Sequence, residues 1–216
     1  MDVTLYVILD RVAARGRDLD EVLEGVIKGG GRMVQLREKD WPSGRILPLA
    51  ERLRERCRQA GVTFVVNDRV DLALALDADG VHLGQDDLPP RAARPLLRRR
   101  MLLGLSTHST AQARTAQSDG ADYVAVGSMF PTATKADFEL VGPELVRNVR
   151  PHLRVPLVGI GGITPENVGE VIQAGADGVA VISAVCAADD PALATRRFLA
   201  AIRDARNLTG GPGRPL

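Results

Sequence analysis

Arg37 and Lys39 leave an apolar run two residues apart, so both can face the same space, and Lys135 follows a later run. Three cations at the ends of such runs suit a highly charged anion such as a diphosphate. Asp68 and Asp87 follow two runs that lie between these cations in the sequence. Two carboxylates beside a cationic pocket make sense if a hard cation such as Mg²⁺ sits between them and phosphate oxygens; the alternative is that both cap the helices that follow. Gly161-Gly162 ends another run and is followed by Thr164 and Pro165. Paired glycines let backbone N–H groups approach an anion, Thr164 can cap the next helix and Pro165 fits its first turn. Ser183, after the last run, adds a hydroxyl donor. This reads as a monophosphate site, against the alternative of a tight turn. His82 and His108 are either acid–base groups or hydrogen-bonded structural side chains, while Cys57 and Cys186 read as packing. A metal–diphosphate site and a monophosphate site in one chain point to a transfer between two phosphorylated substrates.

The elements that must position these residues alternate along the chain. Short β-branched apolar runs at 5–9, 33–36, 63–66, 80–83, 102–105, 123–126, 157–160 and 178–182 predict strands. Most lack polar alternation, as strands covered on both faces do. Segments of helical period at 19–28, 43–60, 69–76, 90–99, 110–118, 142–149, 165–174 and 191–207 lie between and after them. Eight such pairs at about 27 residues each predict an α/β fold, a compact (β/α)8 TIM barrel in a single domain over 1–206, followed by a flexible tail over 207–216. A doubly wound open sheet is the rival architecture. In a barrel, every candidate above falls at or just after the C-terminal end of a strand, where such folds carry their chemistry. A weak repeat supports closure: Ala78-Asp79-Gly80-Val81, Ala121-Asp122-Tyr123-Val124 and Ala176-Asp177-Gly178-Val179 each lead into a strand, with aspartates 43 and 55 positions apart. These aspartates precede their strands, so their expected role is stability at the opposite face.

Composition narrows the class further. In 216 residues, 28 Lys and Arg balance 27 Asp and Glu, and aromatics make up 3%. That offers neither the charge nor the stacking surface of a nucleic-acid or anionic-membrane binder. No apolar run approaches the roughly 20 residues of a membrane span, and residues 1–10 do not read as a signal peptide. Two widely separated cysteines without metal or redox spacing fit a reducing, cytoplasmic setting. The expected partners are small molecules, and the oligomeric state is open.

Seven segments then carry a resemblance: Q-L-R-E-K-D at 35–40, V-N-D-R at 66–69, D-G-V-H-L-G-Q-D-D at 79–87, G-L-S-T-H-S at 104–109, P-T-A-T-K at 131–135, G-I-G-G-I at 159–163 and V-I-S-A at 181–184. In this order, and across nearly the whole chain, they resemble the thiamine phosphate synthase family. The resemblance implies a transferase of thiamine biosynthesis that joins hydroxymethylpyrimidine diphosphate to thiazole phosphate and releases diphosphate. It implies pyrimidine diphosphate contacts at Gln35, Arg37, Lys39, Asn67, Ser106 and Lys135, with Arg37, Lys39, Ser106 and Lys135 catalytic, and Mg²⁺ ligands at Asp68 and Asp87. It places the thiazole phosphate near Thr132, Thr134, Gly162, Ile182 and Ser183. The implied mechanism is dissociative, with charge stabilisation and exclusion of water in place of a protein nucleophile. Ser128, where the family often has Pro, and Trp41, where it usually has an aliphatic residue, depart from the pattern; neither is expected to touch a motif residue. The competing readings are a thiazole tautomerase of the same superfamily, using His108 as acid–base group, and a non-catalytic barrel that binds thiamine precursors.

Overall fold

Valine, isoleucine and leucine crowd both faces of the short apolar runs, and a strand so covered needs helices outside and a packed interior within. The structure, a computed structural model, describes residues 1–131 and 140–208. In it β1 (Leu5–Asp10) leads to α1 (Leu19–Gly29), β2 (Met33–Arg37) to α2 (Ser43–Ala60), β3 (Thr63–Asn67) to α3 (Val70–Ala75) and β4 (Gly80–Leu83) to α4 (Pro90–Ala93). The second half follows suit with β5 (Leu102–Thr107), α5 (Thr110–Ser118), β6 (Tyr123–Val126), α6 (Gly142–Val149), β7 (Leu157–Ile160), α7 (Val168–Gln173), β8 (Gly178–Val181), α8 (Ser183–Cys186) and α9 (Pro191–Leu208). Every strand pairs in parallel with the next, and β8 pairs with β1, so the sheet is a closed (β/α)8 barrel and not an open doubly wound sheet. No helix among the described residues is long and apolar enough to cross a membrane.

Period-two alternation sorts the side chains. Leu5, Val7 and Leu9 of β1 join a large cluster under the helices, whereas Tyr6 and Ile8 join Met33, Val65, Tyr123, Val158 and Ala180 inside the barrel. The same parity carries inward-facing positions up to the mouth, where Asp10 lies opposite Arg37 across β1 and β2.

The larger departures from the expected helices have local reasons. Segment 90–99 yields only α4 and a 3₁₀ turn over Arg94–Leu96, since Pro95 has no N–H to continue an α-helix. Segment 165–174 becomes helical only at Val168, because the Thr164 carbonyl accepts from both Asn167 and Val168 N–H groups and closes a turn first. The polypeptide after β8 folds at once into the short α8, which the sequence reading leaves without an element, and α9 takes in Leu208 as well as Asn207.

At the face opposite the mouth the repeated aspartates form a recurring clasp. Asp79 accepts from the Phe64 N–H of β3, Asp122 from the Leu103 N–H of β5 and Asp177 from the Leu157 N–H of β7, each at 2.8 Å. An arginine from the segment before each odd strand closes the clasp: Arg54 on Asp79 at 3.3 Å, Arg94 on Asp122 at 2.9 Å and Arg150 on Asp177 at 2.6 Å. β2 begins after Arg32, so the first strand pair lacks this device. At the seam, α9 packs against α1 and α7, and Arg206 donates to Thr4 Oγ1 and the Asp177 carbonyl.

Candidate active site

The C-terminal strand ends surround a cavity of about 230 Å³. Its lining gathers Arg37, Lys39, Asn67, Asp68, Asp87 and Ser106 on one side, and Gly161, Gly162, Ile182 and Ser183 on the other. The acidic pair comes first in importance. Asp68 takes a left-handed backbone (φ 62°), which Asp tolerates better than most residues. Asp87 Oδ2 accepts from Gly84 N at 2.6 Å. Burial raises the Asp87 carboxyl pKa, and a hydrogen bond with the Asp68 side chain adds to the rise. Lys39 Nζ lies 3.1 Å from Asp68 Oδ2. Neither α3 nor α4 has a side-chain cap bond at its N-terminus among the described residues, so the capping alternative for both aspartates fails. What remains is a pair of hard oxygen donors that repel each other unless a cation or a proton lies between them. The donor set fits Mg²⁺, which typically takes one or two carboxylates and fills its other positions with water and phosphate oxygens. Among the described residues no third His, Cys, Asp or Glu joins the pair.

The cations are held by partners that the sequence did not single out. Arg37 donates through Nη1 to Asp10, which is 3% exposed and also accepts from Ala13 N at 2.8 Å. Glu38 organises the loop after β2, accepting from Arg11 Nε at 2.6 Å and from the backbone of Asp40 and Trp41. Burial pushes the Glu38 carboxyl up, but the Arg11 hydrogen bond and these N–H groups outweigh it and leave its pKa lowered. The guanidinium groups of Arg11 and Arg45 both lie over the Trp41 ring, 5.0 and 4.1 Å from its centre. Trp41 therefore does touch a motif residue, through Glu38.

On the opposite rim Gly162 has φ 62°, and a Cβ there would meet the Pro131 carbonyl at 2.5 Å. Its own carbonyl accepts from Asn167 Nδ2 at 3.0 Å, and Thr164 Oγ1 accepts from Glu166 N at 3.3 Å, so Asn167 and Thr164 together hold the turn that leads into α7. Ser128, expected to stand clear of the motifs, packs where any Gly161 side chain would go. It also donates to the Phe130 carbonyl at 3.0 Å and lines the cavity. Thr132, Thr134 and Lys135 lie outside the described residues.

Beneath the cavity a polar thread crosses the barrel. Gln35, 1% exposed, does not line the cavity; its Nε2 donates to Tyr6 Oη at 2.6 Å. Tyr6 Oη meets Tyr123 Oη at 2.9 Å, Tyr123 Oη meets His82 Nδ1 at 3.0 Å, and His82 Nε2 meets Ser106 Oγ at 2.8 Å. Burial raises the pKa of both phenols far enough to keep them protonated at any ordinary pH. Both histidines line the cavity: His82 is held at both ring nitrogens by this thread, and His108 has Nδ1 2.7 Å from the Gly127 carbonyl.

Comparison with known proteins gives matches over nearly the whole chain. A family profile described as thiamine monophosphate synthase matches residues 5–185. The chain is 48% identical over 203 residues to a thiamine-phosphate synthase of Moorella thermoacetica, covering 94% of this chain and 97% of that one. It is 48% identical over 196 residues to a thiamine-phosphate synthase of Haloquadratum walsbyi, covering 89% and 88%. Among solved structures, a thiamine phosphate pyrophosphorylase from Pyrococcus furiosus superposes with a TM-score of 0.87 at 37% identity, over 94% of this chain and 97% of the other.

Proposed function

The chain belongs to the thiamine monophosphate synthase family, and from that premise we propose that it joins hydroxymethylpyrimidine diphosphate to thiazole phosphate, giving thiamine phosphate and free diphosphate. The observation that carries this reading is the adjacent Asp68 and Asp87 beside Arg37 and Lys39, facing the Gly161-Gly162 and Ser183 rim across one cavity. A tautomerase handling only the thiazole phosphate has no use for the acidic pair and its cations.

In the reaction the C–O bond to the diphosphate breaks with its electron pair on oxygen, and the thiazole nitrogen lone pair forms the new C–N bond. Arg37, fixed by Asp10, and Lys39 stabilise negative charge as it grows on the leaving group; Lys135 joins them in this reading. Asn67, Ser106 and, from below, Gln35 orient the pyrimidine. Gly162, Ile182 and Ser183, with Thr132 and Thr134, seat the thiazole phosphate so that its nitrogen meets the methylene carbon before water does. Asp68 and Asp87 would hold Mg²⁺, which supplies Lewis-acid stabilisation of the departing diphosphate. The substrates are small molecules with no nucleic-acid or membrane partner, and the two free cysteines suit a cytoplasmic setting.

The test is diphosphate release against Mg²⁺ concentration for the wild type, Asp68→Asn and Asp87→Asn. Removing one charge from the pair is expected to cost on the order of 10²–10³ in rate, partly recovered at high Mg²⁺. Wild-type turnover indifferent to chelator, or variants with an unaltered Mg²⁺ dependence, would take the metal from this pair. Absence of thiamine phosphate when both substrates are supplied with Mg²⁺ would overturn the activity itself.

A further inference from the structure

The thread from Gln35 to Ser106 has a direction. Gln35 Nε2 can only donate, so Tyr6 Oη accepts from it and its single proton is left for Tyr123. Tyr123 Oη, accepting from Tyr6, spends its own proton on His82 Nδ1. A ring nitrogen that accepts at Nδ1 carries the imidazole proton at Nε2. His82 Nε2–H then donates to Ser106 Oγ, and the Ser106 hydroxyl proton is turned away from the thread, into the cavity that Ser106 lines. The Ser106 carbonyl is also held, accepting from Gln85 Nε2 at 2.7 Å.

We infer that Tyr6, Tyr123 and His82 are positioning residues whose ordered hydrogen bonds make the Ser106 hydroxyl an obligate donor, aimed at an acceptor nitrogen of the pyrimidine ring. A second observation is independent of proton positions. Gly104 lies between His82 and Tyr123 in the strand register. A Cβ at Gly104 would overlap the Tyr123 ring and come within 2.5 Å of His82 Nδ1. The glycine of the G-L-S-T-H-S segment therefore makes the space in which tyrosine and histidine meet. Burial keeps each phenol at one proton, so the thread cannot lose its direction through ionisation. The opposite direction, which a turned-over Gln35 amide would impose, puts the imidazole proton on Nδ1, turns the Ser106 proton onto His82 Nε2 and leaves only the Ser106 lone pairs facing the cavity.

The substrate half of this inference rests on the proposed function; the proton order does not. Nitrogen-15 NMR of ligand-free protein labelled at its three histidines reads the tautomer directly. His108→Gln and His152→Gln assign the signals. A His82 that is pyrrole-like at Nε2 and pyridine-like at Nδ1 is expected. The Nδ1–H tautomer, or an imidazolium at pH 8, overturns the inference whatever the enzyme turns over. Calorimetry then measures binding of hydroxymethylpyrimidine diphosphate to the wild type, Tyr123→Phe, Ser106→Ala and the double variant. Tyr123→Phe is expected to weaken binding roughly threefold to tenfold, and to add nothing when Ser106 is already alanine. Equal losses in both backgrounds would mean that Tyr123 acts only on the fold, and would overturn its role through Ser106. Loss of diphosphate release in the wild type, with the expected tautomer in place, would count against the proposed reaction and not against the relay.

Discussion

Arg37 stands at the mouth because Asp10 holds it there, and the arginine is the cation beside a carboxylate that is 3% exposed. Arg37→Ala strands that carboxylate in a buried setting and is expected to cost about 1–3 kcal/mol of stability, read from urea midpoints. Arg37→Lys keeps a positive charge and should recover part of the loss; an unchanged midpoint in Arg37→Ala would mean that Asp10 needs no partner. Gly162 offers a second test at this scale. Its positive φ and the Pro131 carbonyl, 2.5 Å from where a Cβ would stand, leave no room for a side chain. Gly162→Ala should therefore raise the KM for thiazole phosphate by tenfold or more, roughly the loss of one charge-assisted hydrogen bond. The KM for pyrimidine diphosphate should move far less, and equal shifts would contradict this seat. Asp68, Asp87, Arg37 and Ser183 were legible in the sequence because charge and hydroxyl at strand ends stand out against apolar runs. Asp10 was not, because its partner appears only when β1 and β2 are in register. Tyr6 and Tyr123 were hidden for the opposite reason: inside a strand they read as core, and His82, though a candidate, gave no sign of the tyrosine it meets.

Among the elements, the clasps at the far face separate stability from chemistry. Asp122 holds the Leu103 N–H and Arg94 together, so Asp122→Ala leaves a strand N–H without its acceptor. A loss of about 1–3 kcal/mol is expected, measured by thermal or urea unfolding, with kcat and KM unchanged where the protein is folded. A change in KM for either substrate would mean that the two ends of the barrel are coupled. All eight strands were readable from their apolar runs. The helices were less so wherever a side chain competes with the backbone pattern. Pro95 breaks the segment after β4, and the Asn167 side chain, bonded to Gly162 and to Thr164 N, delays α7. The short α8 gave no signal, since four residues cannot establish a helical period.

For the molecule as a whole, the Ala-Asp repeat pointed to closure correctly, and the same closed core seals two thiols. Burial pushes Cys57 up to about 12 and Cys186 up to about 11. Both should resist a maleimide in the native state at pH 8 and react once the chain is unfolded. The sign of the pH effect follows: in the unfolded chain these thiols ionise near about 8.5, while in the fold they stay protonated to about 11 and about 12. Their contribution is complete below the unfolded value and is lost as pH rises through the folded values. Urea midpoints should thus fall between pH 8 and pH 10, less steeply when both cysteines are replaced by alanine; equal slopes would assign the loss to other groups. The seam between α1 and α9 governs something else, the order in which the protein is born. The α1 face at Gly25 and Gly29, which packs against Pro191 and Thr195 of α9, leaves the ribosome well before α9 does. At ordinary rates of synthesis that face waits roughly ten to thirty seconds for its cover. During that interval Arg206 cannot tie Thr4 to Asp177, β1 has no β8 beside it, and the side of the mouth carrying Arg37, Lys39, Asn67 and Asp68 exists before the Gly161-Gly162 and Ser183 rim that will face it.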